Sequence, residues 1–171
     1  MSDRSKKIFL GICIVVPFIL YCYYYYSTML QNAPFRFADF ERIVLRYGEG
    51  DHLANHFDTS TGIFTYIDRR DSVATDTLRM RKDDLLYLHR KATELGFWNL
   101  PTDMTGPASD APDSTKGEGT PAARFVLEYH YLEKSKVVTY DTDFEGNPKM
   151  KDAARSVIDE VRRVMSDVRG R

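Results

Sequence analysis

The chain has very little cysteine and no excess of charge of either sign. Both of its two cysteines lie within the first 26 residues, so the rest can form neither an internal disulfide nor a thiolate metal site. The 24 basic and 25 acidic residues leave a net charge of −1. Nucleic-acid-binding proteins normally show a strong basic excess, and we therefore predict no nucleic-acid partner.

The short motifs that mark common catalytic sites are also absent from the sequence. It has no G-x-S-x-G turn for a serine nucleophile and no G-x-x-x-x-G-K-[ST] loop for a nucleotide phosphate. The metalloprotease motif H-E-x-x-H fails because Leu53, not glutamate, follows His52. We therefore predict that the protein is not an enzyme.

What the sequence does contain is a long uncharged stretch near its N-terminus. Residues 8–30 carry no charge, and as a helix they would be long enough to cross ~30 Å of hydrocarbon. Five of the eleven tyrosines fall in residues 21–26, and tyrosine favours the membrane–water interface. The stretch therefore predicts a transmembrane anchor, with the membrane as a partner.

The flanking charges predict the orientation of this anchor. Arg4, Lys6 and Lys7 precede it, and positive residues stay on the cytoplasmic side. The protein is then a single-pass protein of the plasma or inner membrane, whose C-terminal domain would be periplasmic in a Gram-negative cell. The predicted parts are a cytoplasmic N-terminus, a signal-anchor, a tether and an extracytoplasmic domain of the cell envelope: residues 1–7, 8–30, 31–40 and 41–171.

Two alternatives to an uncleaved anchor are open. Signal peptidase could cut after Ala33, but Pro34 follows and disfavours cleavage. A lipid anchor on Cys22 would need a small residue before it, and Tyr21 stands there. Cys22 could also carry a palmitoyl group or form an intermolecular bridge.

Beyond the tether, alternating apolar residues predict five strands and helical spacing predicts two helices. Asp83 is a predicted N-cap, Gly96 a predicted helix end, and Asn147-Pro148 a predicted start of the last helix. The polar segment 49–61 is interpreted as a loop, and 101–123, rich in Pro, Gly, Ser and Thr, as a flexible loop. The predicted strands are residues 41–47, 62–67, 73–80, 124–132 and 136–142.

The resulting element order is βββαββα. Adjacent strands favour antiparallel pairing, and two amphipathic helices favour one covered face of the sheet. We therefore predict an α+β fold in which the N-terminal transmembrane helix is followed by a two-layer sandwich. Its five-stranded, mainly antiparallel sheet would carry both helices on one face.

One twelve-residue segment, residues 141–152, resembles a calcium-binding EF-hand loop. Acidic side chains occupy its positions 1, 3, 5 and 12, and Gly146 occupies position 6, where a sharp turn is needed. Departures include Pro148, and the cationic Lys149 at a ligand position. The alternative is a solvated strand-to-helix turn with an asparagine cap. The candidate calcium ligands are Asp141, Asp143, Glu145 and Asp152.

A second candidate metal site lies in the polar segment. His52 and His56 are spaced i, i+4, and on a helical turn two such histidines could hold zinc with Asp58 as a third ligand. The alternative is a pair of polar loop histidines with no metal role. Calcium and zinc are the only cofactors that the residues suggest.

These observations favour a non-catalytic domain that binds a protein or an envelope component through its uncovered sheet face or an edge strand. One alternative is an accessory subunit of a membrane complex that acts through its transmembrane helix. Another is a metal-binding protein or hydrolase that uses His52 and His56.

Overall fold

The computed structural model describes residues 11–23, 35–68, 70–106 and 122–171. The chain divides into two compact units, residues 1–36 and Phe37–Arg171. In the first unit, residues 11–23 are helical and are called α1. Most of the large apolar side chains of α1 are exposed, by 47% to 72%.

The predicted transmembrane anchor is overturned by the structure. In the described part of the chain, no helix is both long and apolar enough to cross a membrane. The described helical residues 11–23 cover about 20 Å, less than the ~30 Å of a hydrocarbon core. Residues 8–10 and 24–30 of the predicted anchor lie outside the described residues. The membrane as a partner, and the single-pass cell-envelope location, depended on this anchor and are withdrawn with it.

The second unit consists of a sheet and two helices in its described part. The elements are β1 (Phe40–Glu49), β2 (His52–Asp58), β3 (Ile63–Ile67), β4 (Val73–Thr77), α2 (Lys82–Glu94), β5 (Asp103–Met104), β6 (Ala123–Tyr131), β7 (Ser135–Asp141) and α3 (Pro148–Arg169). The strand order is β4-β3-β2-β1-β6-β7-β5, and the sheet is mixed because β5 runs parallel to β7 while all other neighbours are antiparallel.

The predicted five-stranded sheet is therefore wrong, although the α+β class agrees with the structure. Strand β2 lies inside the segment predicted as a polar loop, because Gly50 adopts φ of +53° and the pair Glu49↔His52 closes a tight turn. Strand β5 lies inside the predicted flexible loop, where Met104 is fully buried. Residues 107–121 of that loop, and 31–34 of the tether, lie outside the described residues.

Both helices of the second unit pack on one face of the sheet, which we call the inner face. The Tyr129 hydroxyl approaches the Leu88 carbonyl of α2 at 3.4 Å, and the Arg162 guanidinium of α3 lies over Tyr47 and Phe125. The pairs Ile43↔Tyr129, Leu45↔Leu127 and Leu45↔Phe57 place fully buried side chains beneath the helices. The main core of the unit therefore lies between this face and α2 and α3.

The ends of both helices follow from local sequence. The Asp84 carboxylate accepts a hydrogen bond from the Arg81 backbone N–H at 3.0 Å, so the N-cap of α2 is Arg81, two residues before the predicted cap Asp83. Gly96 ends it in the left-handed conformation, at φ of +74°. The Asn147 side chain accepts from the Lys149 N–H at 3.0 Å, and Pro148 occupies the first turn of α3.

Candidate functional site

The first residue of the predicted calcium loop is committed to an ion pair. Asp141 ends β7 with 5% of its surface exposed, and Arg124 Nε and Nη2 each donate to its carboxylate at 2.8 Å. The Gly106 N–H adds a contact at 3.3 Å. A carboxylate that already accepts these hydrogen bonds has little capacity left for a cation.

The rest of the loop forms a strand-to-helix turn. Asp143, Glu145 and Asp152 are exposed, and Lys151 Nζ donates to the Phe144 carbonyl at 2.9 Å. The structure does not bring the four predicted calcium ligands together. Within the described ranges, no group of three or more His, Cys, Asp or Glu side chains is placed to hold a metal ion.

The predicted zinc ligands lie on a strand instead of a helical turn. His52, His56 and Asp58 share one face of β2, but four residues of strand separate the two histidines by about 13 Å. Asp58 accepts hydrogen bonds from the Ser60 backbone N–H and hydroxyl, both at 2.7 Å. The strand therefore holds the two histidines too far apart to share one ion.

On the outer face of the sheet, away from the helices, β1 and β6 carry a charged cluster. Arg46 donates to the Glu128 carboxylate, and His130 Nε2 lies 2.9 Å from its other oxygen. Arg42 Nε approaches Asp58 at 4.0 Å. Val44 and Val126 share this face, next to the cluster in the strand register, and are each only 7% exposed. We interpret the charged side chains as a polar cover for these two valines.

The edge of the sheet at β4 exposes apolar side chains. On the outer face of the β3–β4 hairpin, Val73 is 76% exposed, Ile63 44% and Ile67 38%. Val73 pairs directly with Ile67, and threonines fill the positions between these residues. We call this surface the edge surface; it consists of Ile63, Thr65, Ile67, Val73, Thr75 and Thr77.

The backbone of β4 is also open along this edge. Leu78 N donates to Gly62 O at 2.7 Å and Asp68 N to Ser72 O at 2.9 Å, which sets the alternation of the ladder. By this alternation Ala74 and Asp76 bond to β3, while the peptide groups of Val73 and Thr75 point away from the sheet. In the described part of the chain, no strand other than β3 pairs with β4. Outward-pointing peptide groups beside exposed aliphatic side chains can receive another strand.

A groove lies on the opposite, inner face, between α3 and the sheet. Its volume is about 460 Å³. The floor is formed by the sheet and one wall by successive turns of α3. We call it the arginine groove; it is lined by Tyr47, Phe64, Leu78, Asp159, Arg162, Arg163, Met165, Ser166 and Arg169.

Two of the three arginines in this groove are fully engaged by neighbours. Arg169 donates to the Tyr66 hydroxyl at 2.8 Å and pairs with Asp76 at 2.8 Å. Arg163 pairs with Glu160 at 2.6 Å and donates to the Tyr87 hydroxyl at 2.7 Å. The positive charges of both side chains are therefore largely neutralised within the unit.

Arg162 differs from the other two arginines. Its guanidinium lies 5.8 Å from the ring centre of Tyr47 and 5.9 Å from that of Phe125, and these two rings stack on each other. Its closest carboxylate is Asp159, at 3.9 Å, and Asp159 also pairs with Arg155 at 3.7 Å. Among the described residues, none accepts a hydrogen bond from the Arg162 guanidinium.

Burial also affects Tyr47 at the floor of the groove. Burial raises the pKa of its hydroxyl, and the positive charges of Arg162 and Arg169 oppose that rise. Tyr47 therefore stays a neutral phenol near pH 7. It presents a flat ring and a hydroxyl to the groove, not a negative charge.

None of the sequence motifs marks this groove. The signal that would have found it is spacing, since Arg162, Ser166 and Arg169 follow at four and three residues and form one stripe of α3. That stripe indicates a groove only in combination with the aromatic side chains of β1 and β6 beneath it.

No family model, no curated protein and no solved structure matches this chain. The features of the molecule that bear on its function are therefore the edge surface and the arginine groove.

Proposed function

We propose that the second unit is a non-catalytic binding domain that receives an extended segment of a partner protein as an added strand on β4. The observation that carries this proposal is the combination of outward-pointing peptide groups at Val73 and Thr75 with the exposed aliphatic side chains of the edge surface. Strand addition uses these two elements, because main-chain hydrogen bonds supply affinity and side-chain packing supplies specificity.

The composition of β4 supports this use. Edge strands are commonly protected from pairing by lysine, proline, a bulge or an inward-pointing charge. The strand Val73–Thr77 contains neither lysine nor proline and pairs with β3 in regular register. Its one charge, Asp76, points to the inner face, pairs with Arg169 at 2.8 Å and accepts the Thr77 N–H at 2.9 Å. The edge therefore has little protection from Val73 to Thr75, and Thr77 is the position where it is protected.

The length of β4 limits the strength of such binding. Five residues with alternate peptide groups facing outward offer only a few hydrogen bonds, each worth about 1 kcal/mol net. Burial of Val73 and Ile67 adds about 1.5–3 kcal/mol for each fully covered side chain, before the cost of ordering the partner segment. This arithmetic favours a transient interaction over a permanent complex.

Thr75→Pro tests the proposal at the backbone. Proline removes the outward N–H and leaves the bonds from Ala74 and Asp76 to β3, so the hairpin keeps its ladder. Two full chains are compared in the cells that produce them, both with a photoreactive side chain in place of Val73, one with Thr75 and one with Thr75→Pro. The chain that retains Thr75 should give a discrete covalent product with one other protein, and Thr75→Pro should remove that product.

The matched control is the same photoreactive side chain in place of Leu132. Leu132 is 69% exposed and lies in the turn between β6 and β7, away from the edge surface. Identical products from both positions, or a product that survives Thr75→Pro, would contradict strand addition at β4. A product with twice the mass of this chain would also overturn the proposal, because it would identify the occupant as a second copy.

A further inference from the structure

We propose that the arginine groove binds a small organic anion, with a carboxylate or phosphate on the Arg162 guanidinium and a flat apolar body on the aromatic floor. This site lies on the inner face of the sheet and is separate from the edge surface on the outer face. The inference is therefore independent of the proposed strand addition.

The anion is expected because no described residue accepts a hydrogen bond from the N–H groups of the Arg162 guanidinium. Its Cζ lies 5.8 and 5.9 Å from the ring centres of Tyr47 and Phe125, within cation–π distance, so these contacts favour this position of the guanidinium. A guanidinium held by aromatic rings keeps its N–H groups available, and they match the two oxygens of a carboxylate or phosphate. Ordering before binding lowers the entropic cost of capturing the ligand.

The local charge balance favours the same assignment. Asp159 is shared between Arg155 and Arg162, at 3.7 and 3.9 Å, so one carboxylate faces two guanidinium groups. Arg163 and Arg169 have closer acidic partners, at 2.6 and 2.8 Å, and Asp167 gives Arg163 a second one at 3.6 Å. Of the three arginines in the groove, Arg162 therefore has the weakest acidic pairing.

The apolar body is expected from the size and lining of the groove. A volume of about 460 Å³ falls within the ~300–1,000 Å³ typical of small-molecule sites. Phe64, Leu78 and Met165 supply an apolar end, and all three are at most 7% exposed. Inorganic phosphate alone would leave this end of the groove unfilled.

The test is a titration of the full chain with three probes, followed by NMR of the backbone amides. The probes are 2-naphthoate, its neutral analogue 2-naphthamide, and inorganic phosphate. We expect 2-naphthoate to shift the amides of residues 162–169 and of Tyr47 with saturation. The neutral amide and inorganic phosphate should each bind at least tenfold more weakly.

Variants assign the binding to the Arg162 guanidinium. Arg162→Gln should weaken 2-naphthoate binding at least tenfold, and Arg162→Lys should recover only part of that loss, because an ammonium group lacks the planar pair of donors that matches two carboxylate oxygens. Arg90→Gln is the matched control, since it removes the same charge from an exposed position on α2 and should leave the affinity unchanged.

Several outcomes would overturn the inference. One is that 2-naphthoate causes no saturable shift at millimolar concentration in the full chain. Equal affinity for 2-naphthamide would remove the role of the anion, and equal affinity for inorganic phosphate would remove the role of the aromatic floor. Unchanged binding by Arg162→Gln, or shifts confined to residues outside the groove, would remove the role of Arg162.

Discussion

The ion pair between Arg124 and Asp141 gives the sharpest test of how this fold is held together. It joins the start of β6 to the end of β7, and both of its hydrogen bonds measure 2.8 Å. The Asp141 side chain is 7% exposed and the Arg124 side chain 24%. Replacing either partner leaves a charge that water reaches poorly, which is the expensive result of breaking a buried pair.

The expected magnitude follows from these exposures. Removing one partner of a buried pair costs about 3–5 kcal/mol. The cost of Asp141→Asn should lie below that range, at roughly 2–3 kcal/mol, because Arg124 is partly exposed and retains Asp51. Arg124→Gln should cost about 3 kcal/mol, because the Gly106 N–H at 3.3 Å is then the remaining donor to Asp141.

A double-mutant cycle measures the coupling. Equilibrium urea unfolding can be followed by the fluorescence of Trp98, the single tryptophan, which is 7% exposed in the core. We expect a coupling free energy of about 2 kcal/mol between the two positions. The exposed pair Arg155–Asp159, at 3.7 Å, is the control and should couple by less than about 0.5 kcal/mol. Equal coupling in the two pairs would refute the reasoning from burial.

Two further predictions concern the backbone and the buried tyrosines. Gly48→Ala should destabilise the chain by several kcal/mol in thermal or urea unfolding, since a Cβ at Gly48 would lie 1.9 Å from the His52 carbonyl oxygen. Gly170→Ala is the control and should be almost neutral, because the nearest atom to a Cβ at Gly170 is 3.7 Å away. A Gly48→Ala variant as stable as the parent would rule out the close approach of β1 and β2. Burial raises the pKa of Tyr129, so the native state retains a proton that the unfolded state loses above about pH 10, and stability should fall there as pH rises. Tyr129→Phe should remove up to about 1.4 kcal/mol of this loss per pH unit. A difference in the free energy of unfolding between the parent chain and Tyr129→Phe that stays constant from about pH 8 to 12 would contradict this prediction.

The sequence was most informative where local chemistry decides the structure. Asn147-Pro148 marks the start of α3, and Gly96 ends α2, because caps and left-handed ends depend on a few adjacent residues. The alternation of apolar residues likewise predicts the strand at 124–132, and Phe125, Leu127 and Tyr129 of β6 share the face that lies under the helices. Such features need no knowledge of distant neighbours.

Strand β2 was missed because its polar residues hide its pattern. Phe57 is fully buried, but His52, His56 and Asp58 gave the segment the composition of a loop. The Gly50-Asp51 pair was the available signal, since a two-residue turn of this type joins hairpin strands. β5 has only two residues, too short for any periodicity.

The candidate sites show a different limit of sequence reasoning. The i, i+4 spacing of His52 and His56 suggested convergence only on the assumption of a helix, and the strand separates them. The acidic pattern at 141–152 gave no indication that Arg124, from another strand, donates two hydrogen bonds to the Asp141 carboxylate. Arg162 gains its environment from Tyr47 and Phe125, which are distant in sequence. Partners of this kind are determined by tertiary packing.

The central position of β1 also has a consequence for the order of folding. On one side β1 pairs Val44 with Asp58 through a tight turn, and on the other it pairs Val44 with Glu128. The first contact closes a short loop and the second a long one, and the entropic cost of closure rises with loop length. The hairpins from β1 to β4 can therefore form early, while docking of β6 against β1 sets the folding rate of the unit.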